Sequence, residues 1–218
     1  MGMVGGGDGA FIGAVHRMAA ALDGQIELVC GAFSSDPEKS RQSAAALYID
    51  PARGYSSYSE MFRSEAERSV EDRMDFVAIV TPNHLHFPIA MEAIAASFHI
   101  MCEKPATMDL QEALQLQDQL ADSGLVYGLA HTYTGYPMVK EARKRVADGE
   151  LGRVRKVIVE YPQGWLSDDS SDHAVWRLNA EQSGASCCMG DIGVHAANIA
   201  EYISGQNIQS VCADLNSV

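Results

Sequence analysis

Two groups of polar residues in this chain have the types and spacing to do chemistry. Glu103-Lys104-Pro105 stands directly behind the apolar run Phe98–Cys102, so an acid and a lysine sit where a buried strand ends. Ligands bind at strand ends in an open α/β sheet, and lysine is rarely buried without a partner or a task. An ammonium placed there stabilises negative charge developing on a hydroxyl or carbonyl oxygen and can pass a proton. Far downstream, Asp191 and His195 lie four residues apart at a predicted helix start, on one face. Histidine titrates near neutrality and is a natural base for an alcohol proton. The acid one turn away can orient the imidazole or hold substrate hydroxyls. Each group also has a plainer reading: a solvated charged loop for Glu103-Lys104, and an N-cap acid with a packed histidine for the second pair.

A glycine-rich turn opens the chain, Gly5-Gly6-Gly7-Asp8-Gly9-Ala10, between a predicted strand and a predicted helix. Gly5 permits the tight turn, and Gly7 lets the backbone approach a pyrophosphate. The small Ala10 lets the helix pack close, and the first helical N–H groups, at Phe11 and Ile12, attract the anion. A second register, Gly7-x-Gly9-x-x-x-Gly13, fits as well, and the turn alone would also suit S-adenosylmethionine. At the tip of the second strand, Ser34 and Ser35 stand where a carboxylate would bond the ribose of NAD, with Lys39 and Arg41 beyond. Serines with a nearby cation suit the extra phosphate of NADP, so the reading inclines to NADP and leaves NAD open. Thr81-Pro82-Asn83-His84-Leu85-His86 follows another apolar run, and the Asn83 amide there can bond a ribose or a nicotinamide. No third ligand joins His84 and His86, so no metal site is read; capping and packing are their expected roles.

These groups need a sheet to hold them. Met1–Val4, Ile26–Phe33, Phe76–Val80, His99–Cys102 and Val126–Leu129 read as strands. Between them read helices: Ala10–Leu22, with Phe11, Ile12, Val15, Met18, Ala19 and Leu22 on one face; one opening at Asp36-Pro37; Phe87–Ala96; and Leu110–Leu120. The alternation predicts an α/β fold, a doubly wound parallel sheet over residues 1–130. After about Ala130 the rhythm changes, to a helix over Met138–Ala147, an alternating strand over Val154–Tyr161 and a polar loop over Pro162–His173 carrying Trp165. A helix over Gly193–Ile203 and a strand begun at Val211–Leu215 follow. Residues 131–218 therefore read as the start of a C-terminal α+β open-sheet domain. A first strand with almost no lead-in, and a last one with no partner after it, predict a fragment of a longer protein.

Composition narrows the partners. Hydrophobic residues make up 47% and charged ones 21% of 218, an ordinary globular balance. The formal charge of −13 disfavours nucleic acid and anionic membrane surfaces. No apolar run approaches a membrane span, and Met1-Gly2-Met3 lacks a basic signal region. Five cysteines with no Cys-x-x-Cys pair fit reduced thiols, and the expected location is the cytoplasm.

Gly5-Gly6-Gly7, Thr81-Pro82-Asn83-x-x-His86, Glu103-Lys104-Pro105, Gly149-Glu150-Leu151-Gly152, Trp176-Arg177 and Asp191-x-Gly193-x-His195 together resemble the glucose–fructose oxidoreductase/inositol dehydrogenase/MocA family. The resemblance runs through essentially the whole chain, and Glu-Lys-Pro followed by Asp-x-Gly-x-His is its most specific part. It implies a Rossmann NAD(P)-binding domain, then a larger domain whose open sheet mediates homo-oligomerisation. It also implies reversible oxidation of a hydroxyl on a sugar, polyol or related molecule. By that resemblance Lys104 is the catalytic lysine, and Asp191 and His195 bind substrate and transfer the proton. Asn83 and Glu103 lie beside the nicotinamide, Thr81 and His86 belong to the same cofactor edge, and Trp176-Arg177 faces the substrate. Two departures stand out. The usual acidic ribose ligand is replaced by Ser34, and the chain reads His131-Thr132-Tyr133-Thr134 where the family often has an asparagine and an arginine. A non-catalytic, dinucleotide-binding module is the rival reading.

Overall fold

The computed structural model describes residues 1–164, 175–185 and 187–214. Five parallel strands, β1 (Gly2–Gly5), β2 (Cys30–Ala32), β3 (Phe76–Val80), β4 (His99–Cys102) and β5 (Tyr127–Leu129), lie in the order β2-β1-β3-β4-β5. The chain turns one way from β1 to β2 and the other way from β3 onward, so the switch point lies between β1 and β3. A crevice opens outside the carboxyl ends of strands at such a point. Gly5 and Val80 are register partners at that edge.

Both faces of the sheet are covered, which is why β3 is apolar at every position. Alternate side chains divide the core. Val77 and Ile79 join Val4, Met61, Phe62, Ile89 and Phe98 on one side, under α3 (Tyr58–Ala66), α4 (His86–Ala95) and α5 (Leu110–Ala121). Ala78 and Val80 join Met3, Phe33 and Ala44 on the other, under α1 (Phe11–Ala21) and α2 (Pro37–Ala46). Asp36 caps α2, its carboxylate accepting from the amides of Glu38 and Lys39, with Pro37 in the first turn. Ser57 caps α3 in a stretch for which the sequence reading assigned no element.

Four expectations need correction. Helix α1 does not bury the face assigned to it: Phe11 is 81% exposed and Leu22 83%, with Val15 and Met18 also exposed. A Cβ on Gly13 would lie 2.4 Å from the Gly6 Cα, so this contact sets the helix rotation, which keeps Ile12 of the expected face against the core and turns Gly13 and Ala20 inward beside it. The second strand is shorter than Ile26–Phe33, because β1 offers it only Gly2, Met3 and Val4 as partners. Val154–Tyr161 forms no strand; its alternation has no neighbouring strand to pair with among the described residues, and Ile158 and Val159 are exposed. Residues 211–214 are likewise not in a strand, and Trp165 and Leu215 lie outside the described residues.

Beyond β5, α6 (Pro137–Ala147) packs against α9 (Val194–Ser204), with the Arg143 guanidinium 4.3 Å from the Tyr202 ring centre. Two short helices, α7 (Val175–Leu178) and α8 (Ala180–Ser183), precede a π-helical turn over Met189–Gly193 that leads into α9. Gly205, at φ +69°, ends α9. No helix among the described residues is long and apolar enough to cross a membrane.

Candidate active site

The glycine turn is shaped by its neighbours. A Cβ on Gly5 would meet the Val80 carbonyl oxygen at 2.9 Å, and one on Gly7 would meet the Phe33 oxygen and Ser43 Oγ at 2.8 Å. Ala10 is the residue ahead of α1, and the close helix contact expected of it falls to Gly13. Phe11 and Ile12 form the first turn, their amides at the helix N-terminus. Arg17 steadies the turn from behind, donating from Nη1 to the Gly6 carbonyl at 2.7 Å. Beside the turn lies an open depression of about 520 Å³ lined by Asp8, Asp36, Glu38, Lys39, Gln42 and Ser43. Ser34 and Ser35 stand next to Asp36, and Ser34 Oγ accepts its amide at 3.1 Å.

Across the crevice, Thr81 Oγ1 is buried without a hydrogen-bond partner among the described residues. Asn83 is buried, and its amide donates to the Ser183 carbonyl at 2.9 Å, tying the crevice edge to α8. His86 is fully buried, with Nδ1 2.7 Å from the Pro105 oxygen and Nε2 2.9 Å from the Thr81 oxygen. Burial outweighs these carbonyls and holds its pKa below the ordinary value. His86 is thus a strut beneath the crevice, joining the turns after β3 and β4, and not a surface for a cofactor. The Lys104–Pro105 peptide is cis.

Lys104 and Asp191 meet. Lys104 Nζ donates to the Asp191 carboxylate at 2.8 Å and to its carbonyl at 2.6 Å. Two of three ammonium N–H groups are thereby used, which leaves one free among the described residues. Burial alone would raise the Asp191 carboxyl, but Lys104 and then Arg177 overcome it and hold the group below the ordinary carboxylate range. Arg177 reaches Asp191 Oδ2 at 3.4 Å and lies 4.5 Å from the Trp176 ring centre.

His195 is 8% exposed, and its Nδ1 has no partner among the described residues. Burial, then the charge of Lys104, push its pKa down to about 4, so the ring is neutral at neutral pH. The Tyr133 ring stands edge-on to it at 4.8 Å and the His131 ring at 5.8 Å. Burial also lowers the His131 pKa, and the Tyr133 hydroxyl bonds that of Tyr161. In the sequence His131 stood out only as a departure from a familiar pattern, and Tyr133 as that or as an aromatic that could line a sugar site, with a core or interface role favoured. Nothing there signalled that their rings pack against His195. His16 was not singled out at all, yet its Nε2 lies 2.8 Å from Glu103 Oε1.

Residues 1–131 match the oxidoreductase family with an NAD-binding Rossmann fold, GFO_IDH_MocA, and residues 139–218 match the GFO/IDH/MocA C-terminal domain. The chain belongs to the GFO/IDH/MocA family. Among solved structures, an inositol dehydrogenase homologue from Azotobacter vinelandii, complexed with NADH and myo-inositol, is 36% identical with a TM-score of 0.87 over 94% of this chain and 52% of that one. Levoglucosan dehydrogenase of Pseudarthrobacter phenanthrenivorans is 29% identical over 94% of this chain and 51% of its own. D-Xylose 1-dehydrogenase (NADP(+)) 2 of Haloferax volcanii is 28% identical over 77% of this chain and 47% of its own. The chain thus spans about half the length of these family members.

A nicotinamide dinucleotide fits the atoms on hand. At Gly9 an added Cβ would meet nothing within 4 Å, so the backbone of the turn is open to approach there, and among the described residues the buried Thr81 Oγ1 still lacks a partner. The amides at the start of α1 suit a pyrophosphate.

Proposed function

We propose that this chain carries the cofactor-binding and catalytic parts of an NAD(P)-dependent oxidoreductase acting on a sugar, a polyol or a related molecule. The carrying observation is the convergence of Lys104, Asp191 and a neutral His195 beside the crevice at the β1/β3 switch point. The nicotinamide, when bound, supplies the hydride chemistry. His195 accepts the hydroxyl proton at a ring nitrogen as the carbonyl forms, and returns it in the reverse direction. Lys104 uses its remaining N–H to steady the alkoxide-like oxygen. Asp191 holds Lys104 in place, and Arg177 braces Asp191. Asn83 and Glu103 would hold the nicotinamide, and Trp176 with Arg177 belongs to the substrate side.

The depression beside Ser34 and Ser35 bears on the choice of dinucleotide. Asp8, Asp36 and Glu38 outnumber Lys39 there, and Arg41 is paired with Glu38. Carboxylates repel a 2′-phosphate and can accept from ribose hydroxyls, which weighs towards NAD against the inclination drawn from Ser34, Ser35 and Lys39. The end of the sheet at Leu129 supports a division into residues 1–130 and 131–218. Homo-oligomerisation through the second part and a cytoplasmic setting complete the reading.

Titration of NADH and NADPH against the chain, read by nicotinamide fluorescence, is the first test. Saturable binding with NADH tighter is expected; no binding of either removes the reading. In the full-length protein, Lys104→Met should keep NADH affinity and lose roughly 10²-fold or more in turnover. Inositol, levoglucosan and xylose, the compounds named for the relatives above, form the substrate panel. Binding without turnover on any hydroxyl compound would favour the non-catalytic module instead.

A further inference from the structure

Helix α1 touches two parts of the site that lie far apart in sequence. Arg17 grips the glycine turn through the Gly6 carbonyl at 2.7 Å. Its neighbour His16 reaches Glu103 at 2.8 Å, with the two side chains only 15% and 13% exposed. An ionised carboxylate has no hydrogen to give, so Nε2–H is the donor. Burial alone would raise the Glu103 carboxyl, but the bond from His16, its charge when protonated, and the Lys104 amide together hold it below the ordinary range. That amide donates to Oε2 at 3.2 Å, so one carboxylate oxygen is tied to α1 and the other to its own turn.

The geometry points to His16 as a positioning residue for the nicotinamide end of the cofactor site, acting through Glu103. It fixes the Glu103-Lys104 turn relative to the glycine turn, so that the two ends of one dinucleotide meet surfaces set at a fixed separation. It also keeps Glu103 ionised and aimed, an acceptor matched to the carboxamide N–H groups of a nicotinamide. Without His16 the carboxylate faces burial with less to oppose it. It would then take up a proton more readily or swing toward water, and either change spoils the acceptor. This inference rests on the dinucleotide reading above and adds a residue to it.

Two ligands separate the ends of the cofactor: NADH, and ADP-ribose, which lacks the nicotinamide ring. Titration of the chain by fluorescence for NADH and by calorimetry for ADP-ribose should show His16→Ala weakening NADH about ten-fold or more, the scale of a lost charge-assisted hydrogen bond. ADP-ribose affinity should stay within about two-fold, since its contacts are not made through Glu103. His16→Gln places an amide N–H near the position of Nε2 and should restore most of the NADH affinity. Unchanged NADH affinity in His16→Ala overturns the proposal. So does an equal loss for both ligands, which marks a residue that only holds the fold, and so does a glutamine variant no better than alanine. An unaltered chain that binds neither ligand overturns the dinucleotide reading, and this inference with it.

Discussion

The Lys104 charge is already answered inside the protein, by the carboxylate and the carbonyl of one residue. Its work on a substrate is therefore a matter of geometry and of one free N–H, and not of stray positive charge. The histidines nearby follow a different rule. His86, His131 and His195 are all pushed below the ordinary value of 6.5, burial being the largest cause each time. In the unfolded chain they return to that value, so below it the unfolded state binds more protons than the folded one. Stability is then full above about pH 6.5 and falls as the pH drops. The His195 contribution is lost progressively down to about 4. Urea midpoints at pH 7 and pH 5 should show the decline before the carboxylates begin to titrate, and His195→Phe should lessen it. A flat midpoint over that interval would mean that these rings are not held neutral. At this scale Lys104, Asp191 and His195 were legible because chemistry restricts the residue types used. His16 was not, because its partner lies 87 positions away and no local pattern announces such a contact.

At the scale of elements, the two strands at the middle of the sheet were the easiest to read. Phe76–Val80 and His99–Cys102 fall where the apolar runs place them, since a strand covered on both faces is apolar nearly throughout, His99 at the exposed start of the second being the exception. The helix after the glycine turn shows what periodicity misses. Its rotation is set by backbone meeting backbone at Gly6 and Gly13, and glycines add nothing to a count of apolar residues. Gly13→Ala should therefore cost about 1–3 kcal/mol by overpacking and weaken NADH binding as α1 shifts from the turn. Gly135→Ala, where an added Cβ meets nothing within 4 Å, is the control and should melt with the unaltered chain. Equal melting temperatures for the two variants would show that α1 gives way at no cost. The strand expected over Val154–Tyr161 failed for another reason: alternation marks a face, but only a neighbouring strand completes the hydrogen bonding.

Taken whole, the chain joins a sheet to a helical segment through a few polar links at one edge. Lys104 meets Asp191, and Asn83 meets Ser183. The family and the parallel sheet were legible before any coordinates, while the wall of His131 and Tyr133 around His195 required them. One feature of α1 bears on how this chain behaves in a tube. Phe11, Val15, Met18 and Leu22 form an oily stripe on the outside of a molecule with a formal charge of −13. Mutual repulsion keeps such molecules apart in dilute buffer, and added salt shortens its reach. Sedimentation velocity should thus find the chain dispersed at low ionic strength and self-associating at high, the opposite of what an interface built on ion pairs would do. Phe11→Ser with Leu22→Ser should abolish the salt response, so the stripe would set the storage buffer before any enzymology begins.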